Sequence, residues 1–402
     1  MKIRNSQMSV KRIAASYVYT LDADKPIRNG FVEYDDTDGT VIRVGECGPD
    51  EVMDGCAIVP GFVNAHCHVE LSHLHGKFVK GTGMAGFIDQ INALRDWAGN
   101  DVKTRLVGEW MDKMWKDGVS AMADISNDES SFPVKKEHQM YTRTFLEVFG
   151  SEPEMCEGVM NDVKALQKTA DDSGIDAAPT PHSCYTMSPQ LLSASAAAGL
   201  ERGFISYHSQ ESQEEEDLLL SGTGAMYENR KRSGMSTPPV TGESSLKYFI
   251  DRLAAVKPAP YKERILLVHN VCLAQSDIDA ALQVMENVYW AICPLSNIFI
   301  HNALPPVDLM RKNGLNITVG TDSLSSNDDL DMMKELVCLR ENFPQVPMNE
   351  LFTWASRNGA AFLGKEDVLG SIAVGKRPGI VHVSGIDENG YITAESRTRR
   401  IV

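Results

Sequence analysis

From about residue 57 onward, short apolar runs alternate with longer stretches whose apolar positions recur at helical spacing. The runs read AIVPGFVNAH, SAMADIS, TRTFLEVFG, DAAPTPH, FISYH, RILLVHN, YWAIC and NITVG. Between them lie segments such as SPQLLSASAAAG and LAQSDIDAALQVMEN. Ser188 or Gln190 opens the first of these and Ala274 to Asp277 the second. Eight strand–helix units over roughly 300 residues predict an α/β chain of the (β/α)8 TIM-barrel class. A doubly wound open sheet shares the alternation, but the glycine-rich phosphate turn expected of it is missing.

Both ends of the chain read differently. RIAASYVYTL, GFVEYDD and GTVIRVGE are short strands punctuated by Gly and Asp, and DVLGSIAVGKRPGIVHVSG with GYITAES repeats that texture near the C-terminus. Residues 1–56 and 366–402 are therefore expected to form one small β-sandwich domain from both termini, with residues 57–365 forming the barrel. Residues 221–243 have little periodicity and are rich in Gly, Ser, Thr and Pro. They are expected to form a long loop, either a lid over a site or a surface segment.

Charge narrows the partners. Thirty-nine basic residues against 55 acidic ones give a net charge of −16, which argues against nucleic acid or an anionic membrane surface. The opening MKIRNSQMSVKRIAAS lacks the apolar stretch of a secretory signal, and no apolar run is long enough to span a bilayer. Eight scattered cysteines without a C-x-x-C pair read as reduced thiols, so a cytoplasmic location is expected.

The chemistry collects at the strand ends. The first barrel strand ends in His66 and His68, the fourth in His182, the fifth in His208, the sixth in His269 and the eighth in Asp322. In such a barrel these ends open onto one face. His66 and His68 are two residues apart, so on a strand both imidazoles face the same side. With His208 and Asp322 they make a donor set for a divalent cation. The bland alternative is a group of hydrogen-bonded core histidines. The segment NAHCHVELSHLHG also carries Glu70, His73 and His75. Of these, Glu70 and His73 are expected to line a substrate pocket. His138, His301 and His382 read as structural or surface residues. Arg230, Lys231 and Arg232 offer an anion a partner across the lid, or else form a solvated face.

The set PGFVNAHCH, HSQE, LVHN and GTDS resembles the amidohydrolase superfamily. More narrowly, it resembles the branch of hydrolytic deaminases and chlorohydrolases acting on amino-substituted heterocycles. Methylthioadenosine/S-adenosylhomocysteine deaminases and aminodeoxyfutalosine deaminases are similar. The resemblance implies one divalent metal ion, zinc ahead of iron, held by His66, His68, His208 and Asp322. It makes Glu211, His269 and Asp322 the catalytic groups, with Glu211 as proton shuttle, and gives His182 a contact to substrate. The binuclear branches bridge two metals with a lysine at the end of strand four, and APTPHSCYT has none.

The implied reaction is hydroxide attack on a C–NH2 carbon of a purine, nucleoside-like ring or pterin, releasing ammonia. A bound ion can lower the pKa of water from ~15.7 to about 7. Where nucleoside deaminases grip ribose with an acid after strand one, this chain offers only Asp89. Two other readings stand beside it: hydrolysis of a cyclic amide, cyclic amidine or carbon–halogen bond on the same scaffold, and a non-catalytic assembly protein. The partner expected is a small heterocyclic substrate, and homodimers are common among such proteins.

Overall fold

The computed structural model describes residues 9–402. Its contacts divide the chain into two units. One comprises the residues up to Asn64 with Asp112–Ala121 and Asp331–Val402, the other Ala65–Met111 and Met122–Leu330.

The first four strands are β1 (Val10–Val18), β2 (Ile27–Asp35), β3 (Val41–Glu46) and β4 (Met53–Pro60). The next eight are β5 (Phe62–Cys67), β6 (Val119–Ser126), β7 (Tyr141–Val148), β8 (Ala177–Pro181), β9 (Phe204–Ser209), β10 (Tyr261–His269), β11 (Met285–Ile292) and β12 (Ile317–Val319). The last two are β13 (Ile380–Ser384) and β14 (Arg397–Arg400).

The two chain ends do share a sheet, in the order β14-β13-β4-β1-β2-β3. β1 runs antiparallel to β2 and parallel to β4, and β4 runs antiparallel to β13. Val18, Val32, Ile58 and Ile380 lie in its core. Among the described residues this is one six-stranded sheet rather than two facing ones. The segment GYITAES is not a strand; pairing with β13 begins only at Arg397.

The run AIVPGFVNAH is two strands, not one. At Gly61 the backbone changes partners: Gly61 N–H donates to the Gly379 carbonyl at 3.1 Å, and Phe62 N–H to the Gly118 carbonyl at 2.9 Å. A Cβ at Gly61 would lie 1.9 Å from Ser120 Oγ, so only glycine allows the crossing.

The eight middle strands match the eight apolar runs and form two sheets, ordered β5-β6-β7-β8 and β9-β10-β11-β12. Pairing along β9–β12 is parallel throughout, as it is between β7 and β8. β5, β6 and β8 are buried along their whole length, which is why they read as continuous rather than alternating runs.

The sheets also meet at both edges. At β8 and β9, Ser206 N–H donates to Thr180 Oγ1 at 2.8 Å and His208 N–H to the His182 carbonyl at 2.9 Å. At β5 and β12, the N–H groups of Thr321 and Asp322 both donate to the His66 carbonyl, at 3.1 and 3.0 Å. A Cβ at Gly320 would come within 2.7 Å of that carbonyl oxygen, so this seam too depends on glycine.

Ser188 caps the helix Pro189–Glu201 and Ala274 precedes the helix Gln275–Val284. Residues 221–243 are not loop throughout, because Gly224–Arg232 is helical. Its inward residues include Asn229 and Arg230, and a helix that buries polar side chains leaves no apolar periodicity to read. No helix among the described residues is long and apolar enough to cross a membrane.

Candidate metal centre and active site

The ends of β5, β9 and β10 and the turn after β12 bring His66, His68, His208, His269 and Asp322 together. His68 Nε2 lies 3.1 Å from His66 Nε2 and 3.3 Å from His208 Nε2. Asp322 Oδ1 is 3.7 Å from His66 Nε2 and 3.6 Å from His68 Nε2. All five residues are buried. His269 and Asp322 both hold a left-handed backbone, at φ 76° and 56°. Non-glycine residues rarely adopt it, and such strain gathers at functional sites.

The donor set fits one divalent ion. Tetrahedral zinc with bonds of about 2.0–2.1 Å separates its nitrogen ligands by roughly 3.3 Å, close to the spacing found here. His208 Nδ1 lies 3.1 Å from the His182 carbonyl. A proton on Nδ1 leaves the Nε2 lone pair facing the centre. Asp322 Oδ2 accepts hydroxyl hydrogen bonds from Ser296 at 2.6 Å and Ser326 at 2.8 Å, leaving Oδ1 for the ion. Burial, then the neighbouring imidazoles, holds His66 and His208 well below the usual histidine range, so both are neutral ligands. Burial pushes the Asp322 carboxyl up, but the facing His68 and His269 and the Ser296 hydroxyl outweigh it, and the net shift is downward.

Two proton-handling groups stand beside this set. Glu211 Oε1 is 3.4 Å from His269 Nε2, and Tyr185 donates its hydroxyl to Glu211 Oε2 at 3.2 Å. Burial, reinforced by Asp322 and Glu215, holds the Glu211 carboxyl well above its ordinary value. His269 is lowered to about 4, chiefly by burial. The Asn297 side-chain amide sits 3.1 Å from its Nδ1.

These groups close one end of a cavity of about 280 Å3. His182 lines it, with Nδ1 2.7 Å from Ser183 Oγ and 2.9 Å from Thr186 Oγ1. Burial lowers His182 to about 3, so the ring is neutral.

Glu70 and His73 depart from the expectation, because neither lines this cavity. They fall in the 3-10 turn Val69–Leu74, which rotates both side chains inward. Glu70 Oε2 accepts the Asn127 N–H at 2.9 Å. His73 lies 3.1 Å from the Glu70 carbonyl and 2.8 Å from that of Arg95. His75 is at the surface, near the Asp328 carbonyl.

The structure adds groups that the sequence reading missed. Glu147, at the end of β7, lines the cavity with Oε1 3.8 Å from both His182 Nε2 and His208 Nδ1, and accepts from Asn127 Nδ2 at 3.0 Å. Asp124 pairs with the buried Lys135 at 2.6 Å and accepts the Val69 N–H at 2.8 Å, which fixes the turn straight after His68.

Parallel strands that deliver imidazoles and a carboxylate to one pocket define a class of hydrolytic enzymes acting on C–N bonds. Residues 57–399 match the Amidohydrolase family, and the chain belongs to it. It is 27% identical over 385 residues to the 5-methylthioadenosine/S-adenosylhomocysteine deaminase of Halobacterium salinarum, covering 90% of this chain and 81% of that one. It is 25% identical over 340 residues to an adenosine deaminase of Helicobacter pylori, covering 81% and 78%. In fold it is similar to the H. pylori aminofutalosine deaminase solved with methylthio-coformycin, at TM-score 0.74 and 22% identity over 93% of this chain and 92% of that one. The guanine deaminase of C. acetobutylicum, solved with guanine in its active site, superposes at TM-score 0.70 and 15% identity over 93% and 91%.

Proposed function

We propose that this protein is a metal-dependent aminohydrolase that removes the exocyclic amino group of an adenine-type ring, with a nucleoside-like compound as substrate. The observation carrying the reading is the convergence of three imidazole nitrogens and the Asp322 carboxylate beside the Glu211–His269 pair. The names of the relatives point the same way.

His66, His68, His208 and Asp322 would hold one ion, zinc before iron, with the eight middle strands taken as one closed barrel. When bound, the ion supplies a Lewis acid that brings a water molecule's pKa toward about 7. His269, neutral and buried, is suited to orient that water and take its proton. Glu211 stands where a proton can be held and passed to a ring nitrogen or to the departing amine. Its raised pKa suits a group that must be protonated near neutral pH. His182 presents a neutral ring to the substrate, and the apolar residues Met84, Phe87 and Ile88 flank the cavity and exclude bulk water. The eight cysteines form no disulfide among the described residues, which suits a reducing compartment and is in keeping with a cytoplasmic enzyme.

The test is ammonia release from the metal-loaded protein across adenosine, methylthioadenosine, S-adenosylhomocysteine, guanine, a pterin and an aminotriazine. Turnover is expected with the adenine nucleosides. Glu211→Gln should abolish it while metal content stays at the native level. No turnover of any aminated ring sinks the reading.

A further inference from the structure

Glu147 lies at the end of β7, His182 follows β8 and His208 lies at the end of β9, on three successive strands. The Glu147 side chain is 5% exposed, and the fold treats its two oxygens differently. Oε2 accepts from Asn127 Nδ2 at 3.0 Å. Oε1 is buried and has no hydrogen-bond partner among the described residues. It faces His182 Nε2 and His208 Nδ1, 3.8 Å from each. A buried acceptor left without a donor is uncommon and asks for a reason.

A carboxylate offers only lone pairs. An imidazole nitrogen that faces it is favoured with its proton on and disfavoured with a lone pair outward. At 3.8 Å the interaction acts through charge rather than as a direct hydrogen bond, and burial strengthens it. For His208 this agrees with the rest of its surroundings, because Nδ1 also lies 3.1 Å from the His182 carbonyl, a second acceptor. For His182 the carboxylate decides. Its Nδ1 is 2.7 Å from Ser183 Oγ and 2.9 Å from Thr186 Oγ1, and hydroxyls donate or accept as the ring requires. The ring is neutral and so carries one proton. With Oε1 opposite, that proton belongs on Nε2.

We propose that Glu147 is a positioning residue for two imidazoles at once: its free oxygen keeps one proton on His182 Nε2 and another on His208 Nδ1. His182, which lines the cavity, then offers the substrate a hydrogen-bond donor, and His208 offers the cation site the lone pair of Nε2. Glu147 is itself oriented from behind. Arg95 Nη2 donates to Asn127 Oδ1 at 3.2 Å, so the Asn127 amide turns Nδ2 to Glu147 and requires an oxygen there. Glu147→Gln is therefore an inverting change. Its amide oxygen is claimed by Asn127, and its NH2 group faces the two imidazoles, where a donor favours a bare nitrogen. Glu147→Met removes the preference without inverting it. This inference deepens the deaminase reading and rests on it only for what His182 meets.

The experiment uses the zinc-loaded full-length protein with isotope-labelled histidine. Long-range proton–nitrogen correlation NMR reads which ring nitrogen of each of the ten histidines carries the proton. His182→Asn assigns the His182 signals by their loss. The native protein should show His182 protonated at Nε2. Glu147→Gln should move that proton to Nδ1, and Glu147→Met should give a mixture. With zinc saturating, Glu147→Gln should lower kcat/KM for adenine nucleosides about 10- to 100-fold, mainly through KM, and zinc affinity by a similar factor, with Glu147→Met in between. A native His182 protonated at Nδ1 overturns the proposal, whether or not the variants fold. So does an unmoved proton in the folded Gln variant. One donor atom from each of Glu147, His182 and His208 lies within 4.8 Å of the others, the spacing of a cation site. A second zinc ion bound there displaces both protons and likewise overturns the proposal. If the His182 proton responds as stated but no aminated ring turns over, the inference stands and the deaminase reading falls. If the rings turn over and the proton does not respond, the reading stands and the inference falls.

Discussion

Glu215 grips the backbone of Glu211. Its Oε2 accepts the Glu211 N–H at 2.8 Å, while Oε1 accepts the Gln210 N–H at 3.2 Å. Gln210 holds a left-handed backbone at φ 50°, so the turn that presents Glu211 is kept in a strained conformation by this carboxylate. Ser212 caps the helix that follows and accepts the Glu215 N–H, tying the clamp to a rigid element. Glu215→Gln keeps the shape but replaces one acceptor with a donor facing an N–H. The expected result is a fall in kcat of about 10- to 100-fold, the scale of a small misplacement of a catalytic group, with KM and metal content changing far less. Steady-state kinetics with metal analysis checks it. An unchanged kcat in the folded variant shows that Glu211 is placed without Glu215.

The acid side of the pH profile follows from His269. To take a proton from water the ring must be neutral, and burial lowers its pKa to about 4 from an ordinary 6.5. The ring therefore charges only as pH falls through about 4, and a nearby metal cation would push that point lower still. The acid limb of kcat/KM is expected near or below pH 4 rather than near 6.5. Stability has the same sign. The unfolded chain takes up this proton below 6.5 and the folded one resists it, so the contribution of His269 is present above 6.5 and is lost as pH falls toward 4. A pH–rate profile whose acid limb sits at 6.5 contradicts this account.

The legible and illegible parts of this site divide on physical grounds. His66, His68, His208, His269 and Asp322 sit at the ends of apolar runs, and the common exit of parallel strands told where they would meet. Glu147 ends a run as well, but within TRTFLEVFG it reads as one polar position of an ordinary strand, and only the third dimension sets it beside His182. Glu215 was hidden in an acidic run that a helix N-terminus already explains. Asp124 and Lys135 are unremarkable alone; their pairing is a tertiary fact. Glu70 and His73 misled in the opposite direction. Closeness in sequence to the ligand pair suggested the pocket, whereas a single 3-10 turn rotated both away. In the fold, β5, β6 and β8 were legible because burial along their whole length writes an unbroken apolar run. The break at Gly61 was not, since nothing local records a change of hydrogen-bonding partner.

Metal retention should depend on Ser296. Its hydroxyl donates to Asp322 Oδ2 at 2.6 Å and so helps aim Oδ1 at the imidazoles. Partners of this kind commonly contribute about 10- to 100-fold in metal affinity or activity. Ser296→Ala is expected to lose metal at chelator concentrations that leave the native protein loaded. Excess zinc or iron should restore most of its turnover, and whichever ion restores more of the native protein's activity after chelation identifies the preferred metal. Native-like retention in the variant would assign the aiming of Asp322 to Ser326 alone.

Glu70 offers a prediction of stability rather than catalysis. Burial, then the negative charge of Asp128, raises its carboxyl to about 8 from an ordinary 4.5. The unfolded chain ionises at the ordinary value, so between pH 4.5 and 8 the folded protein keeps a proton that the unfolded chain has released. Stability from this group is therefore full below 4.5, declines as pH rises and is lost above about 8. Each pH unit inside that window corresponds to about 1.4 kcal/mol at most. Glu70→Gln cannot ionise, yet it keeps an oxygen for the Asn127 N–H. The variant should show a flatter decline in stability between those limits and a higher melting temperature than the native protein at pH 8. Because Glu70 lies off the cavity wall, kcat/KM should change little. Denaturant unfolding at several pH values, run beside the kinetics, decides the matter: a slope identical to that of the native protein means that Glu70 is already ionised in the fold.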